Sequence, residues 1–140
     1  MVNTINSILC FILAYAVLSL LEIVIAILRI KLFTMKQLDR DLFNDTYKKI
    51  SFWRPIIAIF VFSVLGYAYN SSLIKYSIIT ALICSLFWII LVIVFDLLFK
   101  VILQYQCTYT VEELYQKNLI WTVLTYVCVF VGPVIGLLFL

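Results

Sequence analysis

The sequence contains no histidine, and only 12% of its 140 residues are charged. The first absence removes imidazole general bases, the common zinc and non-haem iron sites and bis-histidine haem ligation. The second removes a water-soluble fold: with 66% hydrophobic residues, too few polar side chains remain to coat a globule. Three glycines and two prolines leave no phosphate-binding glycine loop, no Gly-x-Ser-x-Gly elbow and no flexible linker. The four cysteines, Cys10, Cys84, Cys107 and Cys128, form no Cys-x-x-Cys pair, which argues against a dithiol oxidoreductase. No metal, cofactor or catalytic motif stands in the chain, so neither a cofactor nor an enzymatic activity is expected.

Long apolar runs are what the sequence does have. A helix needs about 20 apolar residues to cross a hydrocarbon core about 30 Å thick. Four runs qualify: Ser7 to Leu28, Pro55 to Tyr69 (lengthened by Phe52 and Trp53), Ser77 to Phe99, and Leu119 to Leu140. Four spans cannot close a membrane barrel, and a helix satisfies its backbone within one segment. The expected fold is therefore an all-α integral membrane protein, one four-transmembrane-helix bundle over residues 1–140. The bilayer is its first partner, and a bacterial inner membrane or an equivalent organelle membrane is its expected place.

Nine of the ten cations fall in the two loops that follow spans one and three, and only Lys75 lies on the other side. This positive-inside bias predicts cytoplasmic loops and both termini on the non-cytoplasmic side. The net charge of +3 then reports topology and not nucleic-acid binding, because Asp39, Asp41 and Asp45 are interleaved with the cations. A cleaved signal peptide is not expected, since no Lys or Arg precedes the first apolar run. Trp53, Trp121, Tyr67, Tyr69 and Tyr76 stand where aromatic belts would lie.

Residues 30–54 form the one sizeable polar segment. Met35, Leu38, Leu42, Phe43, Tyr47 and Ile50 recur at helical spacing and predict a cytoplasmic amphipathic helix lying in the interface. Its basic residues Lys36, Arg40, Lys48, Lys49 and Arg54 would meet anionic headgroups or a cytoplasmic partner. In the second loop, Thr110-Val111-Glu112-Glu113 is a capping box that should start a helix running on into span four. Asn70-Ser71-Ser72 matches a glycosylation sequon in a hairpin that abuts the membrane.

Within the spans, Tyr15, Ser19, Glu22, Ala26 and Arg29 make one stripe that should face protein. Ser77, Ala81, Ser85, Trp88, Val92 and Asp96 make a second. Glu22 lies about 10 Å inside its span at 1.5 Å per residue, where a charge must be neutralised, paired or hydrated. Asp96 stands one turn before Lys100, an ion pair expected to snorkel to the interface. Spans one and three run the same way, so both acids lie in one half of the bilayer. If their faces meet, they could share a proton or a cation; otherwise Glu22 is an Arg-paired or protonated acid that fixes helix packing. Small residues supply two more seams, Ser63, Gly66 and Asn70 on span two and Cys128, Gly132 and Gly136 on span four. These serve packing within the chain or self-association. Pro133 should kink span four or end it early.

Two functions follow as expectations. The first is a small polytopic membrane protein that acts through helix packing, as a homo-oligomer or as a subunit of a larger membrane complex. The second is an oligomeric ion channel or a small proton- or cation-coupled transporter using Glu22 and Asp96. An intramembrane enzyme built on those carboxylates lacks a nucleophile or metal set that could be named.

Overall fold

The computed structural model describes residues 3–33, 37–75, 77–104 and 109–140. Among them there are only helices and connecting turns. Lys36, Met35, Tyr76 and Cys107 lie outside the described residues. Helix α1 spans Thr4–Phe33, α2 Arg40–Lys49, α3 Trp53–Ser71, α4 Ile78–Asp96 and α5 Leu119–Leu137. Two π-helical segments, Leu97–Ile102 and Glu113–Lys117, continue α4 and precede α5.

The four long helices coincide with the four apolar runs, and their ends follow local chemistry. Ser77 caps α4, its side chain accepting the Thr80 N–H at 3.2 Å. Pro55 sits in the first turn of α3, where its missing N–H costs no helical bond. Helix α1 runs five residues beyond the expected Leu28, through Arg29, Ile30 and Lys31 to Phe33. Nothing in that stretch breaks a helix. Pro133 does not end α5, which continues to Leu137. Thr4–Phe33, Ile78–Ile102 and Leu119–Leu137 are each long and apolar enough to cross a membrane. Helix α3, with Arg54 near one end and Asn70 near the other, meets that test only together with α2, to which it is joined at a 76° bend.

Helix α3 packs on α1 and, most closely, on α5; α4 packs on α5 and more lightly on α1. Both predicted stripes are buried, with two corrections. Ser7, Phe11, Ala14, Tyr15, Leu18, Ser19, Glu22 and Ala26 form the inner face of α1, whereas Arg29 is exposed. On α4 the inner face is Ala81, Cys84, Ser85, Trp88, Val92 and Asp96, and Ser77 is exposed. Phe11 is the centre of an aromatic core, with the rings of Tyr15, Phe62, Trp88 and Phe95 between 5.3 and 6.2 Å away.

Glycine sets the α3–α5 distance. A Cβ on Gly66 would lie 2.6 Å from Pro133 Cα, one on Gly132 2.7 Å from Phe62 Cβ, and one on Gly136 2.6 Å from the Ser63 carbonyl oxygen and closer still to the Tyr67 nitrogen. The two small-residue seams expected from the sequence are therefore halves of a single intramolecular contact. Gly66, Gly132 and Gly136 thus make their close approach within the chain. Cys128 is half-buried beside this seam, and the Ser63 hydroxyl donates back to the Ile59 carbonyl at 2.5 Å. Asn70 belongs to the same contact, its side-chain N–H donating to the Pro133 carbonyl at 2.9 Å. It is fully buried, which removes the sequon as a glycan site in this fold. Tyr69, expected in an interfacial belt, is also fully buried; Tyr67, Trp53 and Trp121 are exposed.

Candidate functional site

Arginine 54 organises the polar interior. The sequence places it with the interfacial cations, yet it projects from the first turn of α3 between α1 and α4. Its Nη2 donates to Asp96 Oδ1 at 2.5 Å, and its Nε lies 3.2 Å from Glu22 Oε1 in an ion pair without a hydrogen bond. Exposure is 5% for Glu22, 5% for Arg54, 0% for Asp96 and 1% for Lys100, so all four ions are out of water.

The geometry follows from antiparallel counting. Glu22 and Asp96 each stand 18 residues from the first residue of their helix, Thr4 and Ile78, or about 27 Å at 1.5 Å per residue. Helix α3 runs the opposite way and starts at that level, which puts its second residue between the two acids. Lys100 reaches the same place by a different device. It lies in the π segment, is almost fully buried, and sits 3.9 Å from Asp96 Oδ1 with its ammonium 5.6 Å from the ring centres of both Tyr47 and Tyr109. The expectation that Asp96 and Lys100 snorkel outward is thus corrected. An arginine at 2.5 Å and the two aromatic faces hold them inside.

Tyrosines complete the shell. Tyr15 donates to Asp96 Oδ1 at 2.9 Å, and Tyr126 donates to Asp96 Oδ2 at 3.1 Å while its oxygen lies 3.0 Å from that of Tyr115. Tyr47 of α2 donates to Glu22 Oε2 at 2.7 Å. Two carboxylates and two cations make the network neutral overall, which is what a low-dielectric site requires, since each unpaired ion would cost several kcal/mol. A cavity of about 10 Å³, bordered by Glu22, Tyr47, Arg54, Lys100 and Thr122, leaves room for about one water.

Helix α2 closes this end. Thr46, Tyr47 and Ile50 face inward against Ala26, Tyr109 and Leu114, while Leu38 is exposed and Phe43 half-buried. Lys48 fastens α2 to the second loop, its Nζ lying 2.9 Å from each Glu113 oxygen. Glu113 also accepts the Thr110 N–H at 3.0 Å, and the Thr110 hydroxyl accepts the Glu113 N–H at 3.1 Å, so the capping box forms as expected. These donors, with the Lys48 ammonium first among them, hold the Glu113 carboxyl below its ordinary range. The helix it starts does not run straight into α5. It passes through the π segment Glu113–Lys117, where the Asn118 N–H reaches back five residues to the Glu113 carbonyl at 3.1 Å.

The predicted interfacial cations therefore divide. Arg54 is buried, Lys48 is paired with Glu113, Lys49 pairs with Asp45 at 2.7 Å on the surface, and Arg40 is exposed. Sequence reasoning paired Lys100 with Asp96 but placed the pair at the interface, and it missed Arg54, Tyr47 and Tyr126 as partners of the acids. Among the described residues no three Cys, Asp or Glu side chains converge as metal ligands. Comparison with protein-family models, curated proteins and solved structures finds no detectable relative of this chain.

Proposed function

We propose that this chain is a four-span membrane protein that acts through helix packing, as a homo-oligomer or as a subunit of a larger membrane complex. Its Glu22–Arg54–Asp96–Lys100 network is then a fixed joint. The observation that carries this reading is the closure of the network: two acids and two bases neutralise one another, tyrosines take up further oxygens, and α2 covers the end. The outer faces of α1, α4 and α5 carry exposed Leu, Ile, Val and Phe, a surface suited to lipid or to another apolar helix. Both loops then lie on the cytoplasmic side, with α2 in the interface at 76° to α3.

The test combines stability with flux. Glu22→Gln should lower the unfolding free energy in mixed micelles while leaving proton and cation permeability of reconstituted liposomes at the level of empty ones. A robust flux in the wild type that Glu22→Gln abolishes would refute the packing role. Mass and stoichiometry in a nanodisc then separate self-assembly from a co-purifying partner.

One observation favours the transporter alternative. Glu22 and Asp96 share one arginine, and Glu22 borders the water-sized cavity at the end covered by α2. Against it, the core between this network and the far end is packed with Phe11, Ala14, Leu18, Phe62 and Val92, and among the described residues no further Asp, Glu, Lys or Arg is buried there.

A further inference from the structure

Pairing within the chain redistributes the job of meeting lipid. Of the cations near the α2 end, Arg54 is consumed by Glu22 and Asp96, Lys48 by Glu113 and Lys49 by Asp45. Arg29, like Lys31 and Arg40, has no acidic partner among the described residues, and of the three only Arg29 borders a groove. It lies at the rim of an outward-facing apolar groove of about 530 Å³ between the last turns of α1 and the start of α3. Ile25, Leu28 and Leu32 form one wall, Ile50 and Trp53 the other, and no carboxylate is among the residues that line it. The volume falls within the roughly 300–1,000 Å³ of small-ligand sites. Arg29 is seven residues, or about 10 Å, beyond Glu22 toward the end of α1.

We infer that this groove holds one anionic phospholipid, an acyl chain lying against Leu28 and Trp53 and the phosphate on the Arg29 guanidinium. Charge complementarity selects the occupant. A planar fork of N–H donors with no internal carboxylate matches a phosphodiester, and a zwitterionic headgroup offers its phosphate only together with a competing cation. An exposed tryptophan beside the arginine marks the level at which headgroup and chain meet. The inference rests on the spanning reading of the helices. It moves lipid recognition from the basic face of α2, where the sequence puts it, to α1.

The full-length chain in mixed micelles, with dioleoylphosphatidylglycerol or dioleoylphosphatidylcholine as probe, provides the test by native mass spectrometry. The wild type should retain one phosphatidylglycerol in preference to phosphatidylcholine. Arg29→Gln should weaken that retention about fivefold, the worth of one cation at an anionic surface, and Arg40→Gln should leave it unchanged. Leu28→Trp, which fills the groove and keeps the charge, should lose the lipid as well. Equal retention of the two lipids, or equal losses with Arg29→Gln and Arg40→Gln, would overturn the site. Alkaline carbonate extraction separates the two levels: a chain that washes off membranes overturns the spanning reading itself, whereas an integral chain without the preference overturns only the lipid site.

Discussion

The end closed by α2 and the seam between α3 and α5 hold helices together by opposite means. At the first, long charged and aromatic side chains reach across from α1, α2, α3, α4 and α5 to a shared centre on Arg54 and Asp96. At the second, Gly66, Gly132 and Gly136 bring two backbones into direct contact by having no side chains at all. The charged joint can absorb small shifts, because flexible side chains re-aim, but it cannot lose a member. The glycine seam can lose nothing further and cannot accept a single added carbon.

Five perturbations would break or sharpen this contrast. The largest effect belongs to Arg54→Ala, which leaves two carboxylates buried with too little positive charge; about 3–5 kcal/mol of unfolding free energy should disappear. Changing Glu22→Gln, Arg54→Met, Asp96→Asn and Lys100→Met together should cost less than Arg54→Ala alone, because no orphan ion remains. If the fourfold change is the worse of the two, charge balance is not what the joint depends on. Next comes Gly136→Ala, expected to lose about 1–3 kcal/mol by overpacking even though alanine favours a helix by about 1 kcal/mol. Disulfide trapping between α3 and α5 should slow in parallel, and unchanged trapping would show that the seam has slack.

A smaller loss, about 1 kcal/mol, is expected for Thr110→Ala, which removes the acceptor for the Glu113 N–H. The smallest effect is pH-dependent. The carboxyl of Glu113 is held below its ordinary range in the folded chain, so its contribution is fully present above that range and drains away as pH falls through the lowered value. Unfolding titrations from about pH 6 to about pH 3 should show that acid limb, flattened in Glu113→Gln. The pair with Lys48 is partly exposed, so the change should stay within the small range of surface ion pairs.

Much of the architecture was legible because hydrophobic periodicity is strong over runs of this length. The inner faces of α1 and α4 fall where Ser19, Glu22 and Ala26, and Ser85, Trp88 and Asp96, predict them. The capping box was legible for the same reason, being local. Arg54 was not, since beside Trp53 and Pro55 it reads as a loop cation, and only counting residues from opposite ends of antiparallel helices brings it level with Glu22 and Asp96. The pairing of Lys100 with Asp96 was legible from their spacing, but its burial is hidden by the π segment, which alters the facing of residues after Asp96 and has no sequence signature. Tyr47 and Tyr126 pass as ordinary amphipathic and span residues, because a tyrosine's hydroxyl becomes informative only once its partner is placed.

The order in which the joint's members are made has a consequence for biogenesis. Asp96 follows Tyr15 by 81 residues and Arg54 by 42. At roughly 5–20 residues per second, about 4–16 s pass between synthesis of the first tyrosine and of the carboxylate it will bind. On the spanning reading, α1 reaches the insertion machinery with Glu22 unpartnered, must wait for α3 to supply the arginine, and locks only when α4 arrives. A nascent chain stalled before residue 54 should therefore sit less firmly in the membrane than one stalled after residue 104, although both contain the whole of α1.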